Sequence, residues 1–221
     1  MPADLGPLTS RVFDAVLFDL DGTLVDSTPA VERSWRSWAE QYGLAPGAWR
    51  MAHGVPARQV LGALVAAGEL EHQLTLLEGL EIADVDGVVA LPGAAAALAG
   101  LPPGRAAVVT SGTRPLADAR IARTGLPEPA VVVTASDVAV GKPDPAPYLL
   151  AARLLGVDPR RCLVVEDAPA GVRAGRAAGC AVLAVTTTHP AAELDADAVV
   201  PDLGAVRFRV LADGVGLQSP A

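Results

Sequence analysis

Residues 12–19 form a short apolar run rich in β-branched and aromatic side chains, the pattern of a strand buried on both faces of a sheet. Comparable runs recur. "RAAVVTS" ends at Ser111, "AVVVTAS" at Ser136, "RCLVVED" at Asp167 and "CAVLAVT" at Thr186, and a weaker run, "DAVV", closes at Val200. Helix-length stretches separate them, over 92–101, 114–125, 145–156 and 169–179. Several of these open on proline or behind a polar residue and several close on glycine, as helix boundaries do. Strand and helix therefore alternate, which predicts an α/β fold with a parallel sheet covered by helices on both faces.

One interval breaks the alternation. Between about residues 29 and 81 no strand pattern occurs, while apolar residues recur at helical spacing in "AVERSWRSWAEQYGL" and "ARQVLGALVAAGEL". The simplest reading is an inserted four-helix cap over 28–87, with 1–27 and 88–221 forming the core. The polar segments "DSTPA" and "EIADVDG" would be its hinges, and Trp35, Trp38 and Trp49 its own apolar centre.

Composition narrows the partners. The formal net charge is -8 and the isoelectric point is near 4.8. No basic stripe is present to neutralise phosphates, so nucleic acid is not an expected partner. The longest uncharged run, 87–104, is broken by Pro92-Gly93 and Pro102-Pro103, which suits a short buried helix and not a membrane span. The first residues, "MPADLGPLTSR", lack the basic start and apolar centre of a signal peptide, and a cytoplasmic protein is expected. Cys162 and Cys180 each adjoin an apolar run and read as two buried thiols. No feature marks an interface, so a monomer or weak dimer is expected. Residues 211–221, rich in Gly, Ser and Pro, read as a poorly ordered end.

The chemistry gathers at the strand ends. Ligands of open parallel sheets bind beyond the carboxyl ends of the strands. Those ends carry Asp19, Ser111 and Asp167, with Asp21 just past the first strand and Lys142 in the loop after the third. A turn explains Asp21-Gly22, a helix cap explains Glu166-Asp167, and a loop hydroxyl explains Ser111, each taken singly. Together at one sheet edge, Asp19, Asp21, Glu166 and Asp167 would need a compensating cation, and Mg2+ suits an oxygen-only set that also keeps substrate phosphate in its shell. Lys142 is the one lysine in a chain with 16 arginines. That usage suggests a position where a compact ammonium fits and a planar guanidinium does not.

In order, "DLDGTLVDS", "VVTSGT", "GKPDP" and "VVEDAPAGVRAG" resemble the four motifs of the haloacid dehalogenase superfamily, in its phosphatase and phosphomutase branch. The resemblance spans nearly the whole chain and implies a Rossmann-like core with a helical cap inserted after the first motif. It implies Asp19 as the nucleophile that forms an aspartyl-phosphate. Asp21 would protonate the leaving alkoxide and then take a proton from the attacking water. Mg2+ would be held by Asp19, the Asp21 carbonyl and Asp167, with Glu166 a further candidate ligand. Ser111, the Gly112 amide and Lys142 would hold the phosphoryl oxygens.

Within the superfamily, dehalogenases lack the second aspartate and phosphonoacetaldehyde hydrolases use a cap lysine, which this cap does not have. In β-phosphoglucomutase a cap histidine follows the first motif at a spacing that falls near Val31 here, so hydrolysis is expected and a sugar phosphomutase is the alternative. The stretch "AHGVPARQV" resembles the specificity loop of sugar- and polyol-phosphate phosphatases, and "DSTPAVERSWRSWAEQYGL" resembles the corresponding start of hexitol- and glycerol-phosphate phosphatases. His53 and Arg58 are therefore expected to meet substrate hydroxyls or to help close the cap. The expected substrate is a small phosphorylated sugar or polyol.

Overall fold

The structure, a computed structural model, describes residues 4–45, 57–127 and 129–220. Six parallel strands make its central sheet: β1 (Ala15–Phe18), β4 (Ala106–Val109), β5 (Val131–Val133), β6 (Cys162–Glu166), β7 (Ala181–Val185) and β8 (Ala198–Val200). They lie in the order β5-β4-β1-β6-β7-β8. The chain thus builds outward from β1 on one side and then returns to build outward on the other. This reversal places the carboxyl ends of β1, β4 and β6 side by side, the usual ligand position in an open α/β sheet. Phe18 pairs with Val108 and with Val165, so Asp19, Thr110 and Glu166 emerge near one level.

The period-2 pattern of β1 explains why both faces are covered. Val16 and Phe18 join one apolar cluster with Leu98 of α4 (Ala94–Ala99) and Ile121 of α5 (Arg114–Thr124). Ala15 and Leu17 join a second cluster with Tyr148 and Ala151 of α6 (Ala146–Leu155) and Val172 of α7 (Pro169–Ala177). Cys162 and Cys180 are free, buried thiols in this second cluster. Burial pushes both up to about 12, as loss of water disfavours the thiolate.

The insertion contributes α1 (Thr28–Tyr42), α2 (Ala57–Leu64) and α3 (Leu70–Ala83). Three helices thus stand among the described residues where four are expected from the sequence; Trp49 and His53 lie outside the described residues. The three helices share a separate apolar centre of Trp35, Trp38, Leu61 and Leu77. Trp38 stacks on Tyr42 at 5.4 Å and donates its indole N–H to Gln73 Oε1 at 2.9 Å, so the one polar atom of this ring is satisfied. Where the chain leaves and re-enters the core, β2 (Val25–Asp26) pairs antiparallel with β3 (Val89–Ala90). Arg33 adds a two-pronged ion pair to Asp84 with both contacts at 2.8 Å, tying α1 to the return segment.

The carboxyl-terminal segment differs from expectation. Instead of a loose end, β9 (Arg207–Leu211) and β10 (Gly214–Gln218) form an antiparallel hairpin. Val215 is fully buried and bridges Phe13, which leads into β1, so the segment is held by the sheet it covers.

No helix among the described residues is long and apolar enough to cross a membrane.

Candidate active site

At the carboxyl edge of β1, β4 and β6, Lys142 reaches in from the loop that follows β5. Its side chain is 5% exposed. The ammonium donates to Asp19 Oδ1 at 2.5 Å, to Glu166 Oε1 at 2.7 Å and to the Val109 carbonyl at 2.8 Å. Three acceptors use its three N–H bonds, so the geometry is saturated. Burial alone would lower the Lys142 pKa, but the two carboxylates outweigh it and hold the group protonated, with its pKa raised.

Glu166 is the least accessible of the carboxylates, at 1% exposed. Its Oε1 accepts from Lys142 and from Tyr148 at 2.9 Å, and its Oε2 accepts from the amides of Asp167 and Ala168 at 3.0 and 3.2 Å. Four donors therefore surround a residue expected from the sequence among the metal ligands.

Asp19, Glu166 and Asp167 each present an oxygen within 4.8 Å of the others. Burial pushes the Asp19 carboxyl well up; Lys142 opposes this, while Glu166 and Asp167 add to it. Burial and the Glu166 charge push Asp167 up to about 7. A buried cluster with more anions than cations, built from oxygen donors alone, fits a hard divalent cation such as Mg2+, which would relieve the repulsion and keep the carboxylates ionised.

Two glycines make this packing possible. Gly22 has φ +87°, and a Cβ there would stand 2.3 Å from Asp167 Oδ2. The turn between Asp21 and β2 thus needs glycine on both backbone and steric grounds. A Cβ on Gly171, in α7, would stand 1.6 Å from Glu166 Oε1. Gly171→Ala is therefore expected to displace Glu166 and lower stability by about 1–3 kcal/mol, the cost of overpacking a filled interior. In an ordinary helix interior the same change would stabilise by up to about 1 kcal/mol. A thermal melt separates the two, and an unchanged or raised midpoint would contradict the packing described.

Ser111 and Gly112 follow β4 and line the same cavity as Asp19 and Lys142, a space of about 600 Å³. Thr110 Oγ1 accepts from the Gly112 amide at 3.0 Å, which shapes the turn that carries them. Asp21 stands at the cavity wall, its Oδ1 accepting from Ser27 Oγ at 2.7 Å and its Oδ2 paired with Arg120 at 2.8 Å. Helices α1, α2 and α3 form the opposite wall through Val31, Trp35, Arg58, Leu74, Glu78 and Glu81. Arg58 reaches this wall while forking the Glu71 carboxylate. Thr113, at the start of α5, donates to Glu78 of α3, so these two helices touch beside the site.

Sequence reasoning names Asp19, Asp21, Ser111, Gly112, Lys142, Glu166 and Asp167, and the structure gathers all seven at one cavity. It misses Arg120, Tyr148 and Glu81. The first two carry a readable signal: each occupies the buried side of its helix, Arg120 beside Leu116, Ala117 and Ile121, and Tyr148 beside Ala151 and Ala152.

The sequence profile of the haloacid dehalogenase-like hydrolases matches residues 13–179. Hexitol phosphatase A of Escherichia coli (strain K12) is 51% identical over 178 residues, 76% of this chain and 81% of that protein. Glycerol-1-phosphate phosphohydrolase 2 of Saccharomyces cerevisiae is 36% identical over 198 residues, 82% of this chain and 78% of that one. Among solved structures, a haloacid dehalogenase family hydrolase from Deinococcus radiodurans with bound phosphate and sodium is similar at a TM-score of 0.62 and 32% identity, covering 86% of this chain and 91% of that one. The motifs that line the cavity fall inside the matched span, and the chain belongs to the haloacid dehalogenase-like hydrolase family.

Proposed function

We propose that this protein is a magnesium-dependent phosphatase that hydrolyses a small sugar or polyol monophosphate through an aspartyl-phosphate. The observation that carries the reading is the buried Asp19 carboxylate, held at 2.5 Å by Lys142 at the edge of a cavity that also holds Asp21 and Asp167. Likeness to hexitol and glycerol-1-phosphate phosphatases supports the substrate class. The apolar Val31 on the cavity wall supports hydrolysis over phosphoryl shuttling, because β-phosphoglucomutases place a histidine near that position.

Residues 28–87 act as a cap over a core of 1–27 and 88–221. Asp19, Asp167 and the Asp21 carbonyl would hold the metal, which when bound supplies positive charge to the phosphoryl oxygens and lowers the repulsion among the carboxylates. We assign Glu166 to anchoring Lys142, since its oxygens already accept four hydrogen bonds. Asp19 attacks phosphorus; Asp21 gives a proton to the departing alkoxide and then accepts one from the water that hydrolyses the acyl phosphate. Ser111, the Gly112 amide and Lys142, which would exchange its Val109 carbonyl contact for a phosphoryl oxygen, hold the transferring oxygens, so positioning and charge do most of the work. The cap walls the site from water, and Arg58 and His53 would meet the substrate's hydroxyls or help close the cap.

Free phosphate released from a panel of hexitol, hexose, pentose and glycerol phosphates, with Mg2+ and with chelator, tests the reading. Release confined to a few polyol or sugar esters and abolished by chelator is expected. Interconversion of glucose phosphates on adding a bisphosphate, without phosphate release, would instead establish a mutase.

A further inference from the structure

Among the described residues, the phosphoryl chemistry above leaves one buried cation without a task. Arg120, on α5, has a side chain 7% exposed, although arginine ordinarily keeps its head group in water. Its Nη1 lies 2.8 Å from Asp21 Oδ2 and its Nη2 lies 3.8 Å from Glu81 Oε2. Glu81 belongs to the cap helix α3 and is held in turn by Trp35. One guanidinium therefore bridges a carboxylate on the core loop after β1 and a carboxyl on the cap. Asp21 is gripped from its other oxygen by Ser27, at the start of α1.

A carboxylate that must face a leaving oxygen gains from having its rotamer fixed, since misplacement by about 1 Å can cost on the order of 10²-fold in rate. Ser27 alone fixes one oxygen and leaves the carboxyl plane free to turn; a second donor on the other oxygen removes that freedom. Burial of the guanidinium costs desolvation that these two carboxyls offset, so its place beside Asp21 is maintained by both partners.

We infer that Arg120 is a positioning residue that sets the orientation of the Asp21 carboxyl for proton transfer, with Glu81 of the cap as its second anchor. The inference rests on the proton-transfer role proposed for Asp21. It differs from a role in substrate binding, which would act on KM, and from a purely structural role, which would act on every substrate alike.

The test compares two esters. A polyol phosphate, taken as glycerol 1-phosphate or sorbitol 6-phosphate by faster phosphate release, needs its leaving alkoxide protonated. 4-Nitrophenyl phosphate releases a phenolate that leaves without a proton. Arg120→Met is expected to lower kcat on the polyol ester about 30- to 100-fold with KM within about threefold, while first-turnover release of nitrophenolate stays within about threefold. Arg120→Lys should recover about tenfold of the loss, because an ammonium still pairs with Asp21 but cannot span both carboxyls. Should Arg120→Met fail to fold, Glu81→Gln, which removes only the outer anchor, should show a smaller loss of the same ester selectivity. Equal losses on both esters, or a loss carried by KM, would overturn the inference. Asp21→Asn serves as reference: if it keeps full activity on the polyol ester the proton-transfer reading itself fails, whereas an inactive Asp21→Asn beside a normal Arg120→Met removes only the role of Arg120.

Discussion

Asp19→Asn is expected to fold and to bind metal weakly, yet to release no measurable phosphate, a loss on the order of 10⁴-fold or more in kcat. The substitution keeps the shape of the side chain and removes the oxygen proposed to attack phosphorus. Folding survives because the site does not depend on the Asp19 charge alone: Lys142 keeps Glu166 at 2.7 Å and the Val109 carbonyl at 2.8 Å. Removing one carboxylate also relieves part of the repulsion from Glu166 and Asp167 that, with burial, pushes Asp19 upward. A circular dichroism melt beside a phosphate-release assay checks both halves. Retained turnover would mean that water attacks the ester directly.

Replacement of Lys142 is the second large effect, and the nature of the replacement matters. Arginine keeps the charge but carries it on a broad plane, and the space around Nζ is closed by Asp19, Glu166, Val109 and the ring of Tyr148, whose centroid lies 5.1 Å away. Lys142→Arg is expected to lose on the order of 10²-fold or more in kcat/KM, with both phosphate contact and the Asp19 orientation disturbed. Lys142→Met leaves Asp19 and Glu166 buried without their partner, a change that typically costs about 3–5 kcal/mol. Denaturant unfolding should therefore rank the proteins wild type, Lys142→Arg, Lys142→Met, the last least stable. Near-normal kinetics for Lys142→Arg would show that the only lysine of the chain is incidental.

These positions were legible in the sequence for a physical reason. A strand buried on both faces must be apolar throughout, so the residue where polarity begins marks its end; Phe18-Asp19 and Val165-Glu166 are such transitions, and sheet topology brings them together. The helix boundaries were readable for a similar reason, with Gly125 and Gly156 in left-handed conformations just past α5 and α6. Contacts between distant segments were not readable. The two-residue strands β2 and β3 gain meaning only when Val25 meets Ala90. Arg120 and Glu81 are ordinary helix residues until the cap stands against α5.

The hairpin β9–β10 is a different case. Its Gly, Ser and Pro content suggested a loose end, yet "LADGVGL" carries Asp213-Gly214, a strong hairpin signal. What fixes the segment is tertiary: Val215 bridges Phe13, and Leu217 is buried in the same cluster as Phe18.

The stereochemical course at phosphorus tests the central claim, transfer of the phosphoryl group to Asp19, most directly. A polyol ester made chiral at phosphorus with oxygen isotopes is hydrolysed in isotopically labelled water, and the configuration of the released phosphate is read. Two successive in-line displacements, first by Asp19 and then by water, predict overall retention. Inversion would show a single displacement by water and would contradict the role assigned to Asp19.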